Sequence, residues 1–299
     1  MRKFYFLMLL LCPLVMKGQD LEDYLSKYTS ENGQLYLQPF ANAFTADLNS
    51  GLFHNAKIKK KGFQLYIGLV SQVAVIPGKA KTFTATIDDP SFSSTPITVE
   101  GAPTIFGASE GPYVENSQTG LGQYLPGGLE IESLPLAMPQ ITLGSIFGTD
   151  LSARYISVPV DDLGDIELFG WGIRHSVDQY LKVLPLSVAV GYYHQSFKVG
   201  NYIDAKTSVI NLQASYNIPV ITFYGGLGFE SGNVDVEYTY EGSGDNYGDT
   251  IAFELESEGT VRATIGLCFN LGPVKLHGDY NMAKQNTFAV GLGIGINQK

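Results

Sequence analysis

The stretch Asn286–Ile296, read as Asn-Thr-Phe-Ala-Val-Gly-Leu-Gly-Ile-Gly-Ile, decides the fold. Phe288, Val290, Leu292, Ile294 and Ile296 fall on one side of a period of two; Ala289, Gly291, Gly293 and Gly295 fall on the other. Period two is the signature of a strand, because successive side chains point to opposite faces. A half-buried strand of a water-soluble sheet sets polar residues opposite its apolar ones, whereas this one sets almost nothing there. Apolar side chains turned to lipid, with small or polar ones turned to an enclosed interior, is the pattern of a transmembrane β-barrel. Glycine loses the most freedom on ordering, so bare interior positions imply that something needs the room, a plug or a passage. The plainer alternative is a strand packed beneath a helix in a soluble barrel.

Composition narrows the choice. Of 299 residues only 16% are charged, against ~25% in an average soluble domain, and the 34 glycines exceed the usual ~7%. Seventeen Phe and eighteen Tyr stand beside a single Trp, a bias toward strand-favouring aromatics. Mean hydropathy is +0.05, and no apolar run reaches the ~18 residues of a spanning helix. A membrane protein of this composition spans with a barrel, where every backbone group is paired without water.

The amino terminus carries Arg2-Lys3, an apolar run Phe4–Met16, then Lys17-Gly18-Gln19, the layout of a secretory signal over residues 1–18. Its removal takes the basic count from 19 to 16 against 29 acidic residues, a mature charge of −13. That balance excludes nucleic acid as a partner and implies an acidic exposed surface. Cys268 alone remains, so no internal disulfide and no multi-cysteine metal site is expected, and no cofactor is implied.

Residues 19–61 read as short helices forming a plug or a cap. Leu21, Tyr24, Leu25 and Tyr28 lie at helical spacing, as do Leu37, Phe40, Phe44 and Leu48, with Pro39 near the second start. The bare interior of the last strand favours the plug. Residues 62–299 read as the barrel, beginning at Phe63–Ile76 and interrupted by a long extracellular loop, 77–127. Such a loop is usually functional; Thr82–Ile87 and Pro96–Phe106 suggest a hairpin within it. Further strands fall at Leu129–Gly144, Asp150–Val158, Ile166–Ser176, Leu186–Lys198, Ala205–Tyr216, Val220–Ser231, Thr260–Leu271 and Val274–Ala283. Short turns alternate with long polar loops, which is barrel topology. The count is ten main strands, twelve with the loop hairpin and up to fourteen.

Face parity sorts the charges. Leu151, Tyr155, Phe169, Trp171, Ile173, Val190, Phe223, Leu227, Val261 and Ile265 share the outward register. Arg154, Arg174, Glu230, Arg262, Lys275, His277 and Asp279 share the inward one with Gly291, Gly293 and Gly295. A charge on the lipid face costs about 2–4 kcal/mol at the midplane, so a bilayer enforces this sorting.

The start Gln19-Asp20-Leu21-Glu22-Asp23-Tyr24-Leu25, the segments Leu35–Phe40, Pro103–Gly107 and Pro139–Gly144, and the turn His175–Tyr180 resemble an uncharacterised family of bacterial outer-membrane β-barrels. The resemblance covers nearly the whole mature chain and implies location and fold, not activity. A helical amino terminus ahead of a glycine-rich barrel also looks like the long-chain fatty-acid transporters of that membrane. This chain is shorter and lacks their Asn-Pro-Ala hatch signature.

Several patterns invite chemistry. Gly107-Ala108-Ser109-Glu110-Gly111 fits a nucleophile elbow, but lacks the preceding strand and following helix that its geometry requires. His277 and Asp279 could form the base–carboxylate core of a lipid hydrolase; the plainer reading is a hydrogen-bonded lumen network neutralising Arg154. Glu230 and Arg262 flank the polar hairpin Asn233–Glu258 at nearly matching distances and suggest an ion pair bracing the outer mouth, with a gate as the sharper alternative. Asp161, Asp162, Asp165 and Glu167, with Asp245, Asn246 and Asp249, carry oxygen ligands without calcium-loop spacing, so no metal site is expected. The expectation is a monomeric barrel of the cell outer membrane, inserted among its lipids by barrel-assembly machinery. It would act as a passive channel or transporter for small hydrophobic or amphipathic solutes. A structural or binding barrel in envelope assembly or surface attachment is the alternative.

Overall fold

A computed structural model describes residues 30–87, 93–116, 120, 122–160, 164–180, 185–200, 202–239 and 250–297. The expected signal, the helix over Asp20–Tyr28 and the loop oxygen donors Asp161, Asp162, Asp245, Asn246 and Asp249 lie outside them. Helix α1 spans Ser30–Leu48. The strands are β1 Lys61–Val75, β2 Thr82–Ile87, β3 Ile97–Pro103, β4 Tyr113–Glu115, β5 Gly122–Tyr124, β6 Ser133–Ile146 and β7 Thr149–Val160. They continue as β8 Gly164–Ser176, β9 Ser187–Val199, β10 Ile203–Asn217, β11 Ile221–Thr239, β12 Thr250–Leu271, β13 Val274–Met282 and β14 Thr287–Ile296.

Ten strands close a fully antiparallel barrel of the outer-membrane type, β1 pairing with β14 on one edge and β6 on the other. The two small hairpins, β2–β3 and β4–β5, sit in the long loop after β1 and stay out of the barrel. On β14 the expected alternation is complete: Phe288, Val290, Leu292, Ile294 and Ile296 are exposed, and every residue between them is buried. Eight residue steps at ~3.4 Å and a tilt of ~40° give this apolar face a height of roughly 21 Å, close to the ~25 Å band of such barrels.

The alternation inverts partway up the taller strands. On β11, Phe223, Leu227 and Phe229 are exposed and face outward; beyond Glu230 the buried residues become Val234 and Val236, with Glu237 outside. On β8 the outward series Ile173, Trp171 and Phe169 gives way to Glu167 and Asp165, while Leu168 and Ile166 turn inward and are buried. An apolar face that changes sides along one ribbon is the pattern that a change of surroundings from hydrocarbon to water would impose. Below the inversion the barrel is apolar outside and polar within; above it, polar outside with a dry core. The core joins Phe40, Phe44, Leu136, Leu168, Phe197 and Leu255. The inversion lies toward the long loops, which such barrels direct outside the cell.

Helix α1 supplies the centre of that core. Leu37, Phe40, Phe44 and Leu48 are all buried, as their spacing predicts, and Phe44 meets Phe197 edge-on at 4.7 Å. The helix nevertheless begins well ahead of Pro39, which lies in its interior rather than its first turn. Tertiary bonds hold the added turns: Asn32 Nδ2 donates to Thr86 O at 2.7 Å, Thr86 N donates back at 3.0 Å, and Ile105 N donates to Tyr36 O. The helix ends at Leu48, and three residues on the chain turns at Gly51, with a φ of +61°, a position whose added Cβ would stand 2.5 Å from Val70 Cγ1.

Candidate functional site

The lumen is occupied by the protein's own chain. From the long-loop mouth, residues 30–48 descend as α1 and residues 49–60 continue without regular structure to the short-turn rim, where β1 begins. Near the upper end Gln38 Nε2 donates to Glu256 O at 2.8 Å and Tyr36 Oη to Gly127 O at 2.9 Å. At the lower end Lys59 N donates to Gln64 Oε1 at 2.9 Å, and Gln64 Nε2 to Asn297 O at 3.0 Å. Residues 50–56 are all buried.

Three inward arginines hold this segment at successive levels. Arg262 donates to Ala46 O (2.9 Å) and Ser50 Oγ (2.9 Å), and pairs with Glu230 at 2.7 Å. Arg154 donates to three backbone carbonyls, Leu48 O (3.1 Å), Ser50 O (2.9 Å) and Gly51 O (2.7 Å), and to Gln140 Oε1 (2.9 Å). Arg174 donates to Asn55 O at 2.6 Å and forms a two-pronged pair with Asp150, at 2.9 and 2.5 Å. A segment without regular structure leaves its carbonyls unpaired, and a buried unpaired carbonyl is costly. The guanidinium fork presents several donors at fixed angles and satisfies neighbouring carbonyls together.

The other inward residues take parts that sequence spacing does not show. Lys275 is buried at the short-turn rim, its Nζ on Asn270 Oδ1 at 2.9 Å. His277 Nε2 lies 2.9 Å from Tyr66 Oη, and its ring stacks on His54 at 4.8 Å. Asp279 accepts from Tyr224 Oη at 2.9 Å and Asn281 Nδ2 at 2.7 Å. Among the described residues, His277 hydrogen-bonds Tyr66 and Asp279 hydrogen-bonds Tyr224 and Asn281, so the two are not joined as a base–carboxylate pair. Arg154 is satisfied by carbonyl and amide oxygens. Ser109 sits in a loop with neither a strand immediately before nor a helix after it, which a nucleophile elbow needs.

The glycines correct one expectation outright. Their room is filled, not open. A Cβ on Gly291 would overlap the His277 ring, and one on Gly293 would come within 2.6 Å of Tyr66 Cε2. The same relation places Tyr193 over Gly172 and Tyr224 over Gly266. Gly291 and Gly293 each seat a ring from an adjacent strand, so at these two positions the glycine face of β14 is wall packing and not a channel lining. Phe53 of the lumen segment joins this layer, 5.6 Å edge-on from Tyr224.

Comparison with known proteins gives a family and weak structural likenesses. A search of curated proteins finds no match. Among solved structures the chain is similar to OmpT (in-vitro folded), an outer membrane protein of Vibrio cholerae. That likeness has 12% identity over 53% of this chain and 55% of that one, at a TM-score of 0.27. This chain therefore spans about half the length of that relative. The loop L8 deletion mutant of the same protein matches at 10% identity, 79% and 100% coverage and a TM-score of 0.28. Salmonella typhi OmpF in complex with daunomycin matches at 10%, over 79% and 98%, with a TM-score of 0.19. The architecture here rests on the barrel's own ladder and not on these likenesses. A family model matches residues 1–296, and the chain belongs to that family of unknown function (DUF6588).

Proposed function

We propose that this chain is a monomeric outer-membrane barrel that passes small hydrophobic or amphipathic solutes, and that residues 46–60 close it at rest. The observation that carries the reading is the chemistry beneath the segment. Gln72, Gln140, Gln195, Gln213 and Asn211 line the wall and are buried, as are the three arginines. A barrel filled for stability alone could be lined with apolar side chains. Moving the segment aside from this one leaves a hydrated shaft below an apolar vestibule, a pairing suited to a solute with one oily and one polar end. Passage then requires displacement of residues 46–60, not descent along bare glycines. Barrel-assembly machinery and outer-membrane lipids are the partners this reading requires.

A static barrel serving envelope assembly or attachment is the second reading, favoured by the density of arginine–carbonyl bonds. One experiment separates them. Ser50 Oγ and Thr287 Oγ1 lie 2.5 Å apart, so a Ser50→Cys/Thr287→Cys pair can be bridged to lock the segment to β14. Planar-bilayer conductance that is absent when oxidised and returns on reduction supports the gated reading. Silence in both states, with the reduced protein folded, supports the static one. Unchanged lipid profiles in a His277→Ala strain would retire the hydrolase reading.

A further inference from the structure

We infer that this protein is threaded through its own barrel, with the amino-terminal end of the lumen segment on the outside of the cell and the start of β1 at the periplasmic rim. The inference rests on the outer-membrane reading but not on transport. Two independent observations carry it.

The first is the path of the chain. Asn32 is bonded to Thr86 of the β2–β3 hairpin, within the long connection after β1. Lys59 lies at the opposite end: Ser145 Oγ donates to its carbonyl beside the tight β6–β7 turn, and its own amide donates to Gln64. Between these ends the segment crosses the levels of Arg262, Arg154 and Arg174 in order. The second is the inversion of the strands' apolar face, which places water around the long-loop half and hydrocarbon around the short-turn half. Short turns face the periplasm in such barrels and long loops face outward. Glu31, Gln34 and Leu35 are exposed at the upper end, and Lys60 is exposed at the lower one. The lumen segment, from Ser30, therefore begins at the outer mouth, and an agent acting on that end of it acts from outside.

The test is sidedness in intact cells, in a Cys268→Ser background, since Cys268 is the free cysteine among the described residues. A polyethylene-glycol maleimide too large to pass the outer membrane is applied to Gln34→Cys and to Lys60→Cys. The expected result is labelling of Gln34→Cys on intact cells, with Lys60→Cys labelled only after the outer membrane is permeabilised. The reverse order, or Gln34→Cys labelled only after permeabilisation, overturns the inference. An epitope inserted ahead of Ser30 and probed by antibody gives the same reading without thiol reactivity: binding to intact cells supports the inference, and binding only to permeabilised cells overturns it. Both readouts report sidedness alone, so a closed, non-conducting barrel can still pass this test and an open one can fail it.

Discussion

Replacing Arg154 by Met keeps the length of the side chain and removes its donors, and the cost can be worked from the bonds it makes. Three carbonyls of the lumen segment lose a charged donor, each bond worth about 1.5–3 kcal/mol net. Taken as additive, that is roughly 4–9 kcal/mol, an upper range because water entering the lumen re-satisfies some carbonyls. The substitution also returns the cost of burying the guanidinium, which leaves a net loss of about 2–4 kcal/mol. If the loss falls on anchoring of the segment, the displaced population rises about 30- to 700-fold, since each 1.4 kcal/mol is tenfold. The assay is open probability in planar bilayers, with the heat-induced mobility shift on gels reporting whole-barrel stability. Arg154→Lys should fall between wild type and Arg154→Met, because an ammonium cannot span three carbonyls as the fork does. Unchanged opening and unchanged melting in Arg154→Met would refute the assignment of this residue as a latch.

Other outcomes follow from the same geometry. Gly291→Ala should destabilise the barrel by about 1–3 kcal/mol through overpacking against His277, while Gly78→Ala, with nothing within 4 Å of its added Cβ, should stay within about 0.5 kcal/mol; equal melting shifts would undo the seating argument. Asp47 lies on α1 and is buried; Asp47→Asn removes the cost of burying its charge and should raise the melting temperature, and an unchanged or lowered melting temperature would count against it.

Much of the barrel was legible because the bilayer imposes a one-dimensional code. Period-two alternation located the ten strands, and the inward register of Arg154, Arg174 and Arg262 follows from the cost of charge in hydrocarbon. The hairpin at Thr82–Ile87 was also readable, as two apolar runs between turn residues. Residues 233–258 read as a polar hairpin, and β11 and β12 do pair there, but as unbroken extensions of the barrel strands. That continuity was not legible: Val234 and Val236 against Asp235 and Glu237 alternate with the opposite face apolar, so the run reads as separate from the spans when the membrane rule is carried past the membrane. The glycine seats needed register: that His277 stands beside Gly291 is a fact of β13–β14 pairing, which no spacing along the chain contains. The arginine latch was hidden for a simpler reason, since its partners are backbone carbonyls and any residue carries one.

Trp171 offers the most direct test of the claim beneath all of this, that the exposed apolar face of the barrel meets hydrocarbon. It is the single tryptophan of the chain and is 41% exposed on the outer wall. Reconstituted into bilayers of lipids brominated along the acyl chain, the protein should lose most of its tryptophan emission, while aqueous iodide quenches little. Emission untouched by the brominated lipid and readily quenched by iodide would contradict the account.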